Sequence, residues 1–147
     1  MKAALRVVRY IKEAPGLGLL MPAESTNKLA AYCDSDWGSC IESRRSIIGY
    51  LVKFGNAVVS WKAKKQVTMS RSSAEAEFRS MASCATTKHI DIDCHFVREK
   101  ICQGLLKTEC VHTKDQLADL LTKSLGKFQH DHLLNKLGVK NVYQPSV

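Results

Sequence analysis

Apolar residues recur near the start of the chain at Leu5, Val8 and Ile11, interleaved with Arg6, Arg9 and Lys12. That spacing predicts an amphipathic helix, which Pro15 and Gly16 end. After the loop "PGLGLLMPAESTN" the pattern changes. Leu29 to Cys33 is a continuous apolar run, read as a buried strand that delivers Asp34 and Asp36 at its C-terminal end. Ile47 to Phe54 and Ala57 to Lys62 are β-rich and flank Gly55-Asn56, a hairpin signal with residues that tolerate positive φ.

A helical period returns at Ser72. Ser72 and Glu75 have the spacing of a capping box, in which hydroxyl and carboxylate satisfy backbone N–H groups that a helix start leaves free. Ala74, Phe78, Met81, Ala82 and Ala85 then form the stripe expected to be buried. Further on, "IDCHFVREKICQG" reads as a helix stopped by Gly104, and "LLKTECV" alternates like a strand. Thr113 and Gln116 form a second capping box before Leu117, Leu120 and Leu121, and a last helix runs from Lys127 to Leu137, closing at Gly138. The order of elements predicts a mixed α/β fold with no internal repeat.

Composition narrows the setting. At 147 residues and 45% hydrophobic content the chain is long enough for one domain with a core. No apolar run approaches a membrane span, and the basic, amphipathic N-terminus does not read as a signal peptide. Six cysteines lie apart with no C-x-x-C pair, which fits a reducing, intracellular setting, cytoplasmic or nuclear, and no membrane partner. The net charge of +8 asks for an anionic partner. Arg44, Arg45, Lys53, Lys62, Lys64, Lys65 and Arg71 fall in a stretch without Asp or Glu, and Trp61 lies inside it. Such a stretch can neutralise phosphates and stack on bases, although a solvated basic face explains the charge equally well. The sequence says nothing of oligomeric state.

Carboxylates give the chemistry more definition. Hydrolysis of a phosphodiester by two metal ions needs several carboxylates converging on cations about 3.5–4 Å apart. Mg²⁺ prefers such oxygen ligands. The chain offers Asp34 after a strand, Glu75 and Glu77 early in a helix, and Asp119 on a later helix. Singly, each has a simpler role: a turn cap, a capping-box partner, a surface residue. Periodicity does not choose between Glu75 and Glu77.

The order of these pieces resembles a family. "AYCDSDWGSCIESRRSIIGYLVKFGNAVVSWKAKKQVTMSRSSAEAEFRSMA", "TKHIDIDCHFVREKI" and "QLADLLTK" closely resemble the ribonuclease H domain of Ty1/copia-type retrotransposon Pol polyproteins. "KAALRVVRYIKEAPGLGLL" is similar to the linker that follows the reverse transcriptase there. The resemblance implies a linker remnant over 1–28 and a ribonuclease H-like domain over 29–147. It implies hydrolysis of RNA in RNA–DNA hybrids with Mg²⁺ or Mn²⁺. By the same resemblance Asp34, Glu77 and Asp119 are three of four metal-binding catalytic carboxylates; the charge pattern itself, with no help from the resemblance, offers Arg44, Arg45, Lys62, Lys64, Lys65 and Arg71 as nucleic-acid contacts.

The third family Asp, on a fourth strand, has no counterpart. "MASCATT" runs directly into "TKHIDID", so the resemblance implies an internal deletion near 84–88 that removes the central fourth strand and adjoining helices. What is left is a truncated ribonuclease H-like fold. "LLKTECV" loses its neighbouring strand, the Asp119 helix is expected to sit poorly against the rest, and hydrolysis is expected to be lost. If the missing codons were instead taken for an intron, the intact enzyme returns. A third reading keeps only nucleic-acid binding. Asp91 and Asp93 do not replace the lost ligand, because the family carries the same stretch with its third Asp elsewhere. His89, Cys94 and His95 lack the paired spacing of a structural zinc site. Ser70, Ser72 and Ser73 read as helix-start residues rather than nucleophiles.

Overall fold

Alternation and turn chemistry lay down a three-stranded antiparallel sheet at the centre of the chain. The computed structural model describes residues 2–22, 28–85, 98–99 and 101–143. Helix α1 (Lys2–Glu13) and strand β1 (Leu17–Leu19) come first, then β2 (Leu29–Asp36), β3 (Ile47–Phe54) and β4 (Ala57–Lys65). Helix α2 (Ser73–Ala85) follows. A single 3₁₀ turn (Thr113–Asp115), α3 (Asp119–Thr122), α4 (Lys127–Leu137) and β5 (Val139–Asn141) complete the order. The fold is mixed α/β with antiparallel sheets, ordered β2-β3-β4 and β1-β5.

The hairpin forms where Gly55-Asn56 predicts it, with Gly55 at φ +57°. The outer strands of the sheet are longer than the apolar pattern alone gives. β2 continues to Asp36 because Asp34 and Ser35 still pair with Gly49 and Ile48, and β4 continues to Lys65 opposite Ile47. A bulge between Val52 and Lys53 shifts the β3–β4 register.

Two layers cover the sheet. Alternation puts Cys33, Tyr50 and Ile48 toward α2, and Tyr32, Asp34, Gly49 and Leu51 toward α3 and α4. On the α2 side Ile48, Tyr50, Ala76 and Ala82 are buried. Opposite them, Leu51, Leu117 and Leu133 form a cluster joined by Tyr32, Leu120, Leu121 and Leu125. Burying Leu51 and Leu133 fully contributes roughly 1.5–3 kcal/mol each.

Several expectations need correction. The buried residues of α2 are Ala76, Ser80 and Ala82, while Ala74 and Ala85 are exposed. The helix is rotated relative to its apolar stripe because Ser80 Oγ donates to the Gly49 carbonyl at 3.0 Å, a polar anchor that a hydrophobic count overlooks. "LLKTECV" forms no strand, and its residues are exposed. The outer edge of β2 that might have paired with a strand is met by a side chain, Gln116 Nε2 donating to the Cys33 carbonyl at 3.1 Å. Gln116 therefore does not complete a capping box, and the predicted helix there is split into the 3₁₀ turn and the short α3. Residues 98–99 and 101–102 are helical and Gly104, at φ +71°, ends that segment as expected.

The β1–β5 pairing was not legible in the sequence. It joins Leu17–Leu19 to Val139–Asn141, so residues on both sides of the boundary expected at 28 share one small sheet. The junction at 86–88, and with it His89, Asp91, Asp93, Cys94 and His95, lies outside the described residues. No helix among the described residues is long and apolar enough to cross a membrane.

Candidate functional site

Asp34 belongs to β2, two residues before its end, and faces α3. Directly across the ladder, Gly49 leaves room for that helix: a Cβ there would meet Leu121 Cβ and Thr122 Cγ2, each at 2.8 Å. The close approach brings Thr122 Oγ1 into a hydrogen bond with Asp34 Oδ2. Asp119, in the first turn of α3, lies beside them and is 1% exposed.

Lys123 joins the two acids. Its Nζ donates to Asp119 Oδ1 at 2.7 Å and to Asp34 Oδ1 at 3.2 Å. Burial pushes the Asp119 carboxyl above its usual range; the hydrogen bond from Lys123 opposes that rise, and the neighbouring Asp34 charge adds to it. Burial alone would lower the Lys123 ammonium, but its bonds to Asp119 and Asp34 raise it instead. Asp119 Oδ2 is buried and, among the described residues, has no hydrogen-bond partner. The late helix is thus well seated against the sheet, contrary to the expectation from the missing strand. Close packing at Gly49 and the Gln116 bond to β2 hold it there.

Glu77 is elsewhere. It is exposed on α2, the helix that covers the opposite face of the sheet from Asp34. Among the described residues no three His, Cys, Asp or Glu side chains are grouped so as to hold a metal ion. Glu75 is occupied at the helix start: its Oε2 accepts from Arg71 N at 2.8 Å and its Oε1 pairs with Arg79 at 2.7 Å. The first of these bonds lowers its carboxyl, and the cation beside it lowers it further. Ser72 Oγ accepts from Glu75 N at 3.2 Å, so the capping box forms with its carboxylate one residue further out than predicted.

The basic residues divide between a turn and a sheet edge. Arg44, at φ +53°, and Arg45 lie in the turn after β2, and Lys62, Lys64 and Lys65 lie on β4. Arg71 precedes α2. All six are exposed, and Trp61 among them is 60% exposed. Thr122 and Lys123 went unnoticed in the sequence. The signal for Lys123 was present, since it follows Asp119 by four residues, the spacing of a helical ion pair.

Comparison with known proteins relates the chain to transposon polyproteins. It is 32% identical, over 97% of its length, to the retrovirus-related Pol polyprotein from transposon RE1 of Arabidopsis thaliana. It is 33% identical, over 95% of its length, to the corresponding polyprotein from transposon RE2 of the same plant. The chain spans 12% of either relative. An uncharacterized mitochondrial protein of Arabidopsis thaliana is 44% identical over 54% of the chain and a third (33%) of its own length. The long alignments are longer than the chain. For RE1, 97% of 147 residues is about 143, so 183 aligned positions leave about 40 without a counterpart here. For the mitochondrial protein, 54% of 147 is about 79 against 80 aligned positions, and no such excess exists. No family model and no solved structure matches. The chain is homologous to a segment of transposon Pol polyproteins.

Proposed function

We propose that this chain is an internally deleted remnant of the ribonuclease H region of a Ty1/copia-type Pol polyprotein, and that it does not hydrolyse RNA–DNA hybrids. The observation that carries this reading is the Asp34–Lys123–Asp119 cluster. Two carboxylates at the positions the resemblance assigns to the active site meet across the fold, yet the cation between them is an ammonium. A two-metal centre needs further oxygen ligands around exchangeable ions. Here Thr122 and Lys123 occupy Asp34, Glu77 lies on the helix across the sheet, and one orphaned oxygen of Asp119 is what remains. That donor set does not fit two Mg²⁺ or Mn²⁺ ions. The surplus of about 40 positions in the RE1 alignment supports an internal deletion, which the resemblance puts near 84–88.

The test is incubation of the purified chain with a labelled RNA–DNA hybrid and Mg²⁺ or Mn²⁺. No cleavage is expected. Cleavage that disappears in Asp34→Asn would overturn the proposal and return the enzyme reading. The genomic DNA between the codons for Thr87 and Lys88 gives a second check, because intact family sequence there would also return it.

A second reading, nucleic-acid binding without catalysis, is favoured by one observation. Arg44, Arg45, Lys62, Lys64, Lys65 and Arg71 are all exposed, with Trp61 open to solvent among them on an edge strand. A basic edge with a stacking platform suits a phosphate backbone such as that of an RNA–DNA hybrid.

A further inference from the structure

We propose that Cys33 and Cys84 are an oxidation site, a dithiol that closes to an intramolecular disulfide when a peroxide reaches it. The pair follows from how α2 lies on the sheet. Ser80 is fixed to the Gly49 carbonyl at 3.0 Å, and Cys84 is one helical turn further along the same face. Tyr50, the residue after Gly49, pairs across the ladder with Cys33. Cys33 points toward α2, because its neighbour Asp34 points the other way to Thr122. The two thiols accordingly face each other between α2 and the sheet, with Tyr50 close by, and each perturbs the other's ionisation.

Both thiols are half-buried, which admits a small oxidant and shields the pair from large reaction partners. The neighbouring Cys33 thiol lowers the Cys84 thiol, which makes Cys84 the attacking sulfur. The Cys84 thiolate attacks one oxygen of hydrogen peroxide, forming a sulfenic acid and releasing hydroxide. Cys33 sulfur then attacks Cys84 sulfur, and the departing OH leaves as water with the Cys33 proton. The proton lost earlier by Cys84 converts the hydroxide to a second water. Two thiols are oxidised by two electrons, and one peroxide is reduced to two waters. In a reducing compartment such a bond is transient and reversed by thiol exchange. While closed it ties the last turn of α2 to the strand that carries Asp34.

The test is oxidation of the whole chain by hydrogen peroxide, alkylation, and tryptic mapping without reduction. Cys33 and Cys40 share one tryptic peptide, residues 29–44, and Cys84 lies on residues 80–88. A linked 29–44/80–88 peptide is expected from the native chain and from Cys40→Ser, and it is expected to vanish in Cys84→Ser and Cys33→Ser. Cys33→Ala and Cys84→Ala repeat the loss should a serine variant misfold, and circular dichroism before oxidation identifies the folded variants. Oxidation should also raise the urea midpoint of the native chain and leave that of the folded Cys84 variant unchanged. Loss of the link in Cys40→Ser, or oxidant consumption with both Cys33 and Cys84 still alkylated, would overturn the proposal.

Discussion

Replacing Lys123 by Met removes one ammonium from between two carboxylates while keeping the length and much of the packing of the side chain. Asp119 is 1% exposed, and the Lys123 contact at 2.7 Å is what compensates its charge. Its second oxygen has no partner among the described residues, and Asp34, only 12% exposed, lies beside it. Removing one member of a dry ion pair costs about 3–5 kcal/mol, because the other charge is left buried and unpaired. Lys123 is 36% exposed, so solvent already screens part of the interaction. The expected loss is therefore roughly 2 kcal/mol at neutral pH, below that range because of the screening. Urea unfolding followed by circular dichroism measures it as a lower midpoint with unchanged slope. Adding Asp119→Asn should recover most of the loss, since the amide carries no charge to leave stranded, and the double-mutant cycle gives the coupling directly. A Lys123→Met chain as stable as its parent at pH 7, or one that Asp119→Asn fails to rescue, would refute the reasoning.

Asp119→Asn alone tests the pH dependence. The folded carboxyl binds its proton more tightly than the unfolded one, whose ordinary value is 3.8. Its contribution is fully present below that value and is lost as pH rises through the raised one. The parent-minus-variant difference in urea midpoint should thus fall with rising pH across the acid range, and a flat difference would contradict the shift. Gly49→Ala should cost about 1–3 kcal/mol by overpacking, since the added carbon meets two side chains of α3 at 2.8 Å; an unchanged midpoint would mean α3 is free to move away. Reversing charge at Lys62, Lys64 and Lys65 should abolish salt-sensitive binding to an RNA–DNA hybrid, measured by fluorescence anisotropy. Unaltered affinity would remove the basic edge from the second reading.

What the sequence disclosed depended on whether a local rule governed the element. The Gly55-Asn56 hairpin, the Ser72 helix start and the Gly138 stop of α4, at φ +87°, follow from short-range chemistry and formed as expected. The "LLKTECV" strand failed because alternation says only that a segment can pair, not that an edge is available to it. β1 and β5, three residues each, are too short to carry a period and exist through partners more than a hundred positions apart. Asp34 and Asp119 were found through resemblance. Their neighbour Lys123 was visible as an i, i+4 partner, whereas Thr122 reaches Asp34 through packing at Gly49, which no spacing encodes.

The seating of α3 bears on what the carboxylate pair now does. On the proposed reading, loss of a central strand would leave Asp119 with nothing to hold it near Asp34. Here three contacts of short reach do so: Gly49 admits the helix, Thr122 bonds to Asp34, and Gln116 closes the edge of β2. None of them requires a metal or a further strand. Two acids so close repel each other, however, and Asp119 is too buried for water to relieve that repulsion. An internal cation is then a condition of the packing, and Lys123 supplies it from the next turn of the same chain. In an active metal centre the same acids must release their cation-binding oxygens to exchangeable ions. An ammonium tethered four residues from Asp119 competes for those oxygens at high effective concentration. The cluster joins sheet to helix, and on the proposed reading stability, rather than turnover, is the property that should answer to its mutation.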